Sequence, residues 1–257
     1  MPNSIKMQAE YGDDIQVVFV ESQGTKKKAT ESFILKHKWM ASTAMWTNER
    51  PLTSGNNGLP NYVLLGADGR VLAKGNHMGK DTRALIDDEI KKSGNGPEDA
   101  SKEIQKAWKS FSKGKIAKAL TLAEKAGEKE DFAEEAEQAI AAFERRIKGR
   151  MDAAQWSIDN GFFADADAAL EVLAKDLKGT DFEADVVAKS QQLADPALKP
   201  EIDAEKALMK ICDRLFEDGY DKKGKHQKAV AKFVEKFDGT KAAARGRYLL
   251  SLAPAGH

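Results

Sequence analysis

Cysteine is scarce in this sequence, and its scarcity limits the chemistry that the chain can carry. Cys212 is the one cysteine among 257 residues. An internal disulfide needs two cysteines and a cysteine-based metal cluster needs several, so both are excluded. Cys212 shares an apolar helical stripe with Leu208 and Leu215, a pattern that favours a buried thiol acting as a small hydrophobic group.

An excess of charge of one sign and long apolar runs are also missing. Lysine plus arginine and aspartate plus glutamate number 41 each, so no overall field attracts nucleic acid or an anionic membrane. No apolar run approaches the ~18 residues that a membrane-spanning helix needs. The first five residues show neither the basic nor the apolar segment of a secretory signal. We therefore expect a soluble protein with no nucleic-acid partner and no membrane span.

The sequence patterns of metal and nucleotide sites are absent as well. The four histidines are scattered, without the spacing that places two ligands on one helix face. The basic runs at 26–28 and 222–226 lack both phosphate-loop glycines and interleaved aromatic residues. We therefore expect no metal site and no cofactor. The histidines are His37, His77, His226 and His257.

The first ninety residues carry alternating signals for helices and strands. A β-branched run at 15–20 has no clean polar alternation, which is typical of a strand covered on both faces. Helices are predicted on either side of it, one ending at Tyr11 and the other beginning with a Thr30 cap. This order indicates a parallel or mixed α/β sheet.

A β-hairpin and a further helix are predicted after residue 60. Asp68-Gly69 is a strong turn signal between the apolar segments 62–65 and 71–74. The next helix is predicted to begin with an Asp81 cap and to end at Gly94. The composition that follows predicts a linker at 93–99 and a domain boundary there.

Residues 100–257 are predicted to be entirely helical. The clearest amphipathic run spaces its apolar residues 4, 4, 3, 4, 4, 3 and 4 positions apart. This spacing predicts one helix from Asp131 to Asn160, roughly 45 Å long, with a bend expected at Gly149. The apolar residues of this stripe are Phe132, Ala136, Ile140, Phe143, Ile147, Met151, Ala154 and Ile158.

A weak repeat places alanine five residues after glycine at 114–119, 161–166 and 224–229. Each glycine is expected to close one helix or open the next, and each alanine to let two helices approach closely. The spacing resembles the turn and second helix of tetratricopeptide units, in which antiparallel helix pairs stack. Because the repeats are irregularly separated, a helical-repeat array and a plain helical bundle are both open.

Residues 1–92 resemble the thioredoxin-like superfamily, specifically its bacterial thiol-disulfide exchange branch. The likeness rests on the helix up to Tyr11-Gly12, the strand at 17–20, and the segment 58–71. That segment is similar to the family's cis-proline loop and the hairpin after it. The resemblance implies a cis bond before Pro60 and pairing of an extended substrate peptide with Leu59.

The resemblance also implies which residues would bind that peptide. Gly58, Leu59 and Pro60 would form the binding loop. Trp46 would either pack in the core or lie at the surface beside Leu59 as an anchor for the peptide. The family's Cys-x-x-Cys pair is missing from the sequence, and if Pro2 is the proline that follows it, both cysteines would lie just ahead of Met1.

The sequence therefore predicts an N-terminally incomplete α/β thioredoxin-like domain at 1–92 and an all-α, helical-hairpin or tetratricopeptide-like domain at 100–257. The expected function is that of a redox-inert or truncated thioredoxin-like protein whose helical domain binds protein or peptide partners. One alternative is a thiol-disulfide oxidoreductase whose Cys-x-x-Cys motif lies upstream of the start; another is a purely structural helical scaffold. The family resemblance suggests export to the periplasm.

Overall fold

A computed structural model gives the fold of the chain. It describes residues 2–11, 14–21, 23–37, 44–47, 49, 61–66, 69–76, 78–97, 99–218 and 224–252. The helices within these ranges are α1 (Pro2–Tyr11), α2 (Lys27–Lys36), α3 (Lys80–Asn95), α4 (Lys102–Phe111), α5 (Ile116–Gly127), α6 (Ala133–Asp159), α7 (Phe163–Asp176), α8 (Glu183–Leu193), α9 (Lys199–Asp218), α10 (Lys225–Lys236) and α11 (Lys241–Leu252). The strands are β1 (Phe19–Glu21), β2 (Ala44–Trp46), β3 (Tyr62–Leu65) and β4 (Val71–Gly75).

The predicted fold class is wrong, because the structure is mostly α-helical. Helix makes up 73% of it. Among the described residues the strands form two separate sheets of two strands each, a parallel pair β1–β2 and an antiparallel pair β3–β4. An α/β domain of the thioredoxin type needs one continuous mixed sheet between helical layers, so residues 1–92 do not form the predicted domain.

The interpretation of the β-branched run at 15–20 as a strand covered on both faces is wrong. Only Phe19–Glu21 is strand, and Val18 and Val20 are 40% and 45% exposed. A strand covered on both faces would bury these side chains. The parallel partner of β1 is β2, a three-residue strand at Ala44–Trp46 for which no strand was predicted.

The predicted hairpin and the helix after it are confirmed, although the cap of that helix is wrong. Strands β3 and β4 pair antiparallel, with a register irregularity at Leu64/Leu65. Helix α3 follows; its N-cap is Gly79 rather than Asp81, and it ends at Asn95 rather than at Gly94. The hydroxyls of Tyr62 and Thr82 lie 3.1 Å apart, which links the hairpin to α3.

The long helix is confirmed as a 3-10 turn at Glu130–Phe132 followed by α6. Six of the eight stripe residues are buried, while Phe132 and Ile140 are half-buried. Phe143 lies at the centre of this packing: its ring stacks on Phe111 at a centroid distance of 4.4 Å and meets Trp108 edge-on at 4.8 Å. The 3.6-residue period therefore identified the buried face of α6 correctly.

The glycines of the repeat open helices, as predicted. Gly114, Gly161 and Gly224 all have positive φ; α10 begins directly after Gly224, and α5 and α7 begin two residues after Gly114 and Gly161. Ala119 and Ala166 are fully buried. Helix α5 packs on α4, and α10 packs on α11 and α9. The repeat therefore marks helix starts in the described structure.

The chain divides into two compact units. Each unit combines stretches that are separate along the sequence but pack together in space. The first contains 1–50, 157–165 and 193–257, and the second contains 51–156 and 166–192. In the first unit, Leu35 of α2 is buried among residues of α9, α10 and α11, including Leu208, Phe233 and Leu249. The predicted linker at 93–99 falls inside the second unit. The boundary predicted there stays a prediction.

Candidate functional site

A concave surface of the second unit lies between α6 and α8. It is a groove of about 890 Å³, which we call the α6–α8 groove. Its apolar lining is Ala141, Met151, Phe182 and Ala188. Its charged and amide lining is Glu144, Arg145, Lys148, Asp152, Gln155, Asp185, Lys189 and Gln192.

A smaller groove of about 380 Å³ continues along the same helix between α5 and α6. Its lining is Glu124, Gly127, Ala133, Ala136, Glu137, Ile140, Ala141 and Glu144. Because Ala141 and Glu144 line both grooves, the two form one surface along α6, which we call the α6 surface. From Ala133 to Gln155 this surface follows roughly 33 Å of helix at about 1.5 Å per residue.

Packing on the opposite side of α6 fixes which residues face the groove. The aromatic cluster around Phe143 holds that side, and the Arg146 guanidinium lies 4.9 Å from the Trp108 ring centroid. The Glu135 carboxylate accepts a hydrogen bond from the backbone N–H of Ser101, the N-cap of α4, at 2.8 Å. With this face held, positions 141, 144, 145, 148, 152 and 155 line the groove. Most of them follow the previous one by three or four residues, the spacing of neighbours on one helix face.

Side-chain hydrogen bonds join α6 to α8 at the far end of the groove. The Lys189 ammonium donates to the Gln155 carbonyl oxygen at 2.9 Å, and the Gln155 amide donates to Gln192 at 3.4 Å. These contacts set the width of the groove there.

Charge is unevenly distributed along the α6 surface. The lining of the α5–α6 groove contains three carboxylates, those of Glu124, Glu137 and Glu144, and no cation. The lining of the α6–α8 groove contains three acidic and three basic residues. The sequence shows the same polarity: eight acidic and two basic residues at 124–144, then four basic and one acidic at 145–155.

A second polar cluster lies in the first unit, and its role is structural. Glu205 of α9 is only 3% exposed, and its carboxylate accepts a hydrogen bond from the backbone N–H of Ala164 at 3.0 Å. Arg245 of α11 lies 3.9 Å from the other carboxylate oxygen and donates to the carbonyl of Gly161 at 2.9 Å. The cluster therefore ties the start of α7 to α9 and α11. Burial raises the pKa of Glu205, although the Ala164 N–H and the Arg245 charge oppose this.

Cys212, close to Arg245 in the same unit, is not poised for thiol chemistry. Its side chain is partly buried against the core of α9, α10 and α11. Desolvation raises the pKa of the thiol to about 11. The thiolate is the reactive form, so this environment suits the predicted role of a packing residue.

Of the four peptide-binding residues implied by the family resemblance, the structure describes only Trp46. Gly58, Leu59 and Pro60 lie outside the described residues. Trp46 lies in β2, half-buried, and its indole N–H donates to the backbone carbonyl of Thr25. These four residues therefore stay a prediction.

The groove residues were missed because their signal is weak in a single sequence. Charged residues on the solvent side of an amphipathic helix are what any surface helix shows. Only the segregation of charge along 124–155 distinguishes this stretch, and it indicates polarity rather than a concave shape. The α8 wall of the groove could be placed only by tertiary packing.

Among the described residues, no group of three or more histidine, cysteine, aspartate or glutamate side chains could hold a metal ion. In the same part of the chain, none of the helices combines the length and apolarity needed to cross a bilayer. No family model, curated protein or solved structure matches the chain.

Proposed function

We propose that the protein is a helical interaction module that binds a polypeptide segment of a protein partner on the α6 surface. The observation that carries this proposal is the groove of about 890 Å³ between α6 and α8. Grooves between helices, lined by side chains, accept amphipathic helical segments in a recurrent mode of peptide recognition.

The composition of the groove favours a polypeptide over a small molecule. Small-molecule pockets are lined mainly by hydrophobic and aromatic groups that surround the ligand. Only four of the twelve lining residues here are apolar, and six are charged. Such a mixture of apolar, amide and charged side chains is closer to the composition of protein-binding surfaces, which combine apolar area with a polar rim.

An exposed tryptophan adds support beside the groove. Trp156 follows Asp152 by one helical turn on α6 and is 58% exposed. Tryptophan is among the residues that contribute most to binding energy at protein interfaces. Its position extends the α6 surface beyond Gln155.

A displayed library of helical peptides, selected against the full chain, tests the proposal. Ala188 lines the groove and is exposed, so Ala188→Arg fills the groove without disturbing a core. The matched control is Ala153→Arg, an exposed alanine of α6 that is not in the lining. We expect Ala188→Arg to weaken the binding of selected peptides by about tenfold or more, the effect of losing a contact at the centre of an interface. Ala153→Arg should leave their binding unchanged. Equal binding by both variants would refute the proposal.

No described residue favours the oxidoreductase alternative. It requires a reactive thiol pair, whereas the thiol that the chain offers, Cys212, is partly buried with its pKa raised to about 11. That alternative stays a prediction from the sequence.

A further inference from the structure

We infer that the partner segment is an amphipathic helix whose cationic residues are concentrated at one end. This inference rests on the proposed function and specifies its ligand. The cationic end would lie over the α5–α6 groove, and the apolar face would cover Phe182 and Ala188 in the α6–α8 groove.

The shape of the α6 surface fits a helical segment. Four of the eight residues that line the α5–α6 groove are small: Gly127, Ala133, Ala136 and Ala141. Small lining residues allow the backbone of a partner helix to approach closely, while the larger volume of the α6–α8 groove leaves room for larger apolar side chains. The surface follows roughly 33 Å of α6, the length of about 22 helical residues.

The charges around the α5–α6 groove favour a cationic end of the segment there. Glu124 and Glu137 are exposed, and no lysine or arginine lines the groove between them. A bound segment with anionic or neutral side chains at this end would leave three carboxylates facing it without compensation. Complementary charge across an interface selects partners and fixes their orientation. Lysine or arginine at the facing end of the segment meets this requirement.

The balanced charges of the α6–α8 groove disfavour a segment that is cationic along its whole length. Arg145, Lys148 and Lys189 are matched there by Glu144, Asp152 and Asp185. A uniformly cationic segment would therefore place some of its charge beside arginine and lysine, which is unfavourable. The segment should instead be basic at one end only.

Two synthetic peptides of about 21 residues test the inference by fluorescence anisotropy with the full chain. Both carry leucine at helical spacing; one has four lysines in one half, and the other has four glutamates in their place. We expect the lysine peptide to bind at least tenfold more tightly at low salt. The difference should shrink at 1 M salt, where the Debye length is about 3 Å instead of about 10 Å at 0.1 M.

Charge reversal in the protein locates the effect. Glu137→Lys should weaken the lysine peptide about fivefold, the scale of an exposed charge pair. Glu217→Lys changes the net charge equally, at an exposed position of α9 outside both grooves, and should leave binding unchanged. A third peptide, with its four lysines spread over both halves, should bind more weakly than the peptide with clustered lysines.

The outcomes separate this inference from the proposed function. If the glutamate peptide binds as well as the lysine peptide, or if neither binds, the inference is overturned; library peptides that remain sensitive to Ala188→Arg would then leave the proposed function standing. If the chain self-associates and Ala188→Arg abolishes this, the occupant is a second copy and the inference is overturned as well. Tighter binding of the clustered lysine peptide that Glu137→Lys weakens supports it.

Discussion

Three glutamates cap the N-terminus of a helix other than their own. Glu135, Glu201 and Glu205 accept hydrogen bonds from the backbone N–H groups of Ser101, Lys241 and Ala164, at 2.8, 3.0 and 3.0 Å. A carboxylate at a helix N-terminus satisfies N–H groups that have no partner within the helix and interacts favourably with the helix dipole. These residues therefore fix helix positions as well as helix starts.

Glu205 should give the free energy of unfolding a distinct pH dependence. Its pKa is raised by burial, so the folded state binds this proton more tightly than the unfolded state, whose glutamate pKa is about 4.3. The contribution of Glu205 is then most favourable at low pH and falls as pH rises from about 4.3 through the folded pKa. Denaturant unfolding of the wild type and Glu205→Gln should show a stability difference that decreases in this direction.

Glu135 provides the control, because its contribution to the free energy of unfolding should change with pH in the opposite direction. The hydrogen bond from Ser101 lowers its pKa, so its contribution is present above the unfolded pKa and disappears as pH falls through the folded pKa. A stability difference for Glu205→Gln that increases with pH would contradict the environment described for that carboxyl.

Cys212 should react slowly in the native protein. A pKa of about 11, against an ordinary value of 9.0, lowers the thiolate fraction near neutral pH about 100-fold, since each pKa unit is a factor of ten. Alkylation by iodoacetamide, followed by mass spectrometry, should therefore be markedly slower than in the denatured chain, although the greater nucleophilicity of a high-pKa thiolate offsets part of the difference. Equal rates in the two states would show that the thiol is neither buried nor perturbed.

At the scale of elements, the helix of the clearest periodicity was predicted best. The stripe from Phe132 to Ile158 defined α6, because burial of one helical face leaves a 3.6-residue pattern in the sequence. The pairing of β1 with β2 left no such pattern, because Ala44–Trp46 is too short for alternation to be seen. Glu205 did carry a signal, as a charged residue on the apolar stripe of Leu208, Cys212 and Leu215.

Two glycines should respond to alanine with opposite signs. Gly149 lies inside α6, and a Cβ there would meet no atom within 4 Å, so Gly149→Ala should raise the free energy of unfolding by about 0.5–1 kcal/mol. Gly114 precedes α5 with φ of 71°, so Gly114→Ala should lower it by about 1–2 kcal/mol through left-handed backbone strain. Thermal unfolding of both variants provides the measurement, and a change of the same sign in both would contradict the assigned backbone conformations.

At the scale of the whole molecule, the sequence could indicate where helices occur but not how they group. The boundary indicated by the composition at 93–99 stays a prediction; α3 and α4 pack together within one unit. Leu35 lies far from residues 204–252 in sequence and is buried among them, with 2% exposure. Such groupings depend on tertiary contacts that local composition does not record. The α6–α8 groove is of the same kind, because α7 separates its α8 wall from α6 in sequence.

Photo-crosslinking tests the central claim, that the α6 surface binds a protein segment, most directly. A photoreactive amino acid is placed at position 188, which lines the groove, or at position 153 on the same α6 helix outside it. The full chain is then irradiated with a peptide selected from the library. We predict a crosslinked product from position 188, competed by unlabelled peptide, and none from position 153. Crosslinking from position 153 alone, or equally from both positions, would contradict the assignment of the α6 surface as the binding site.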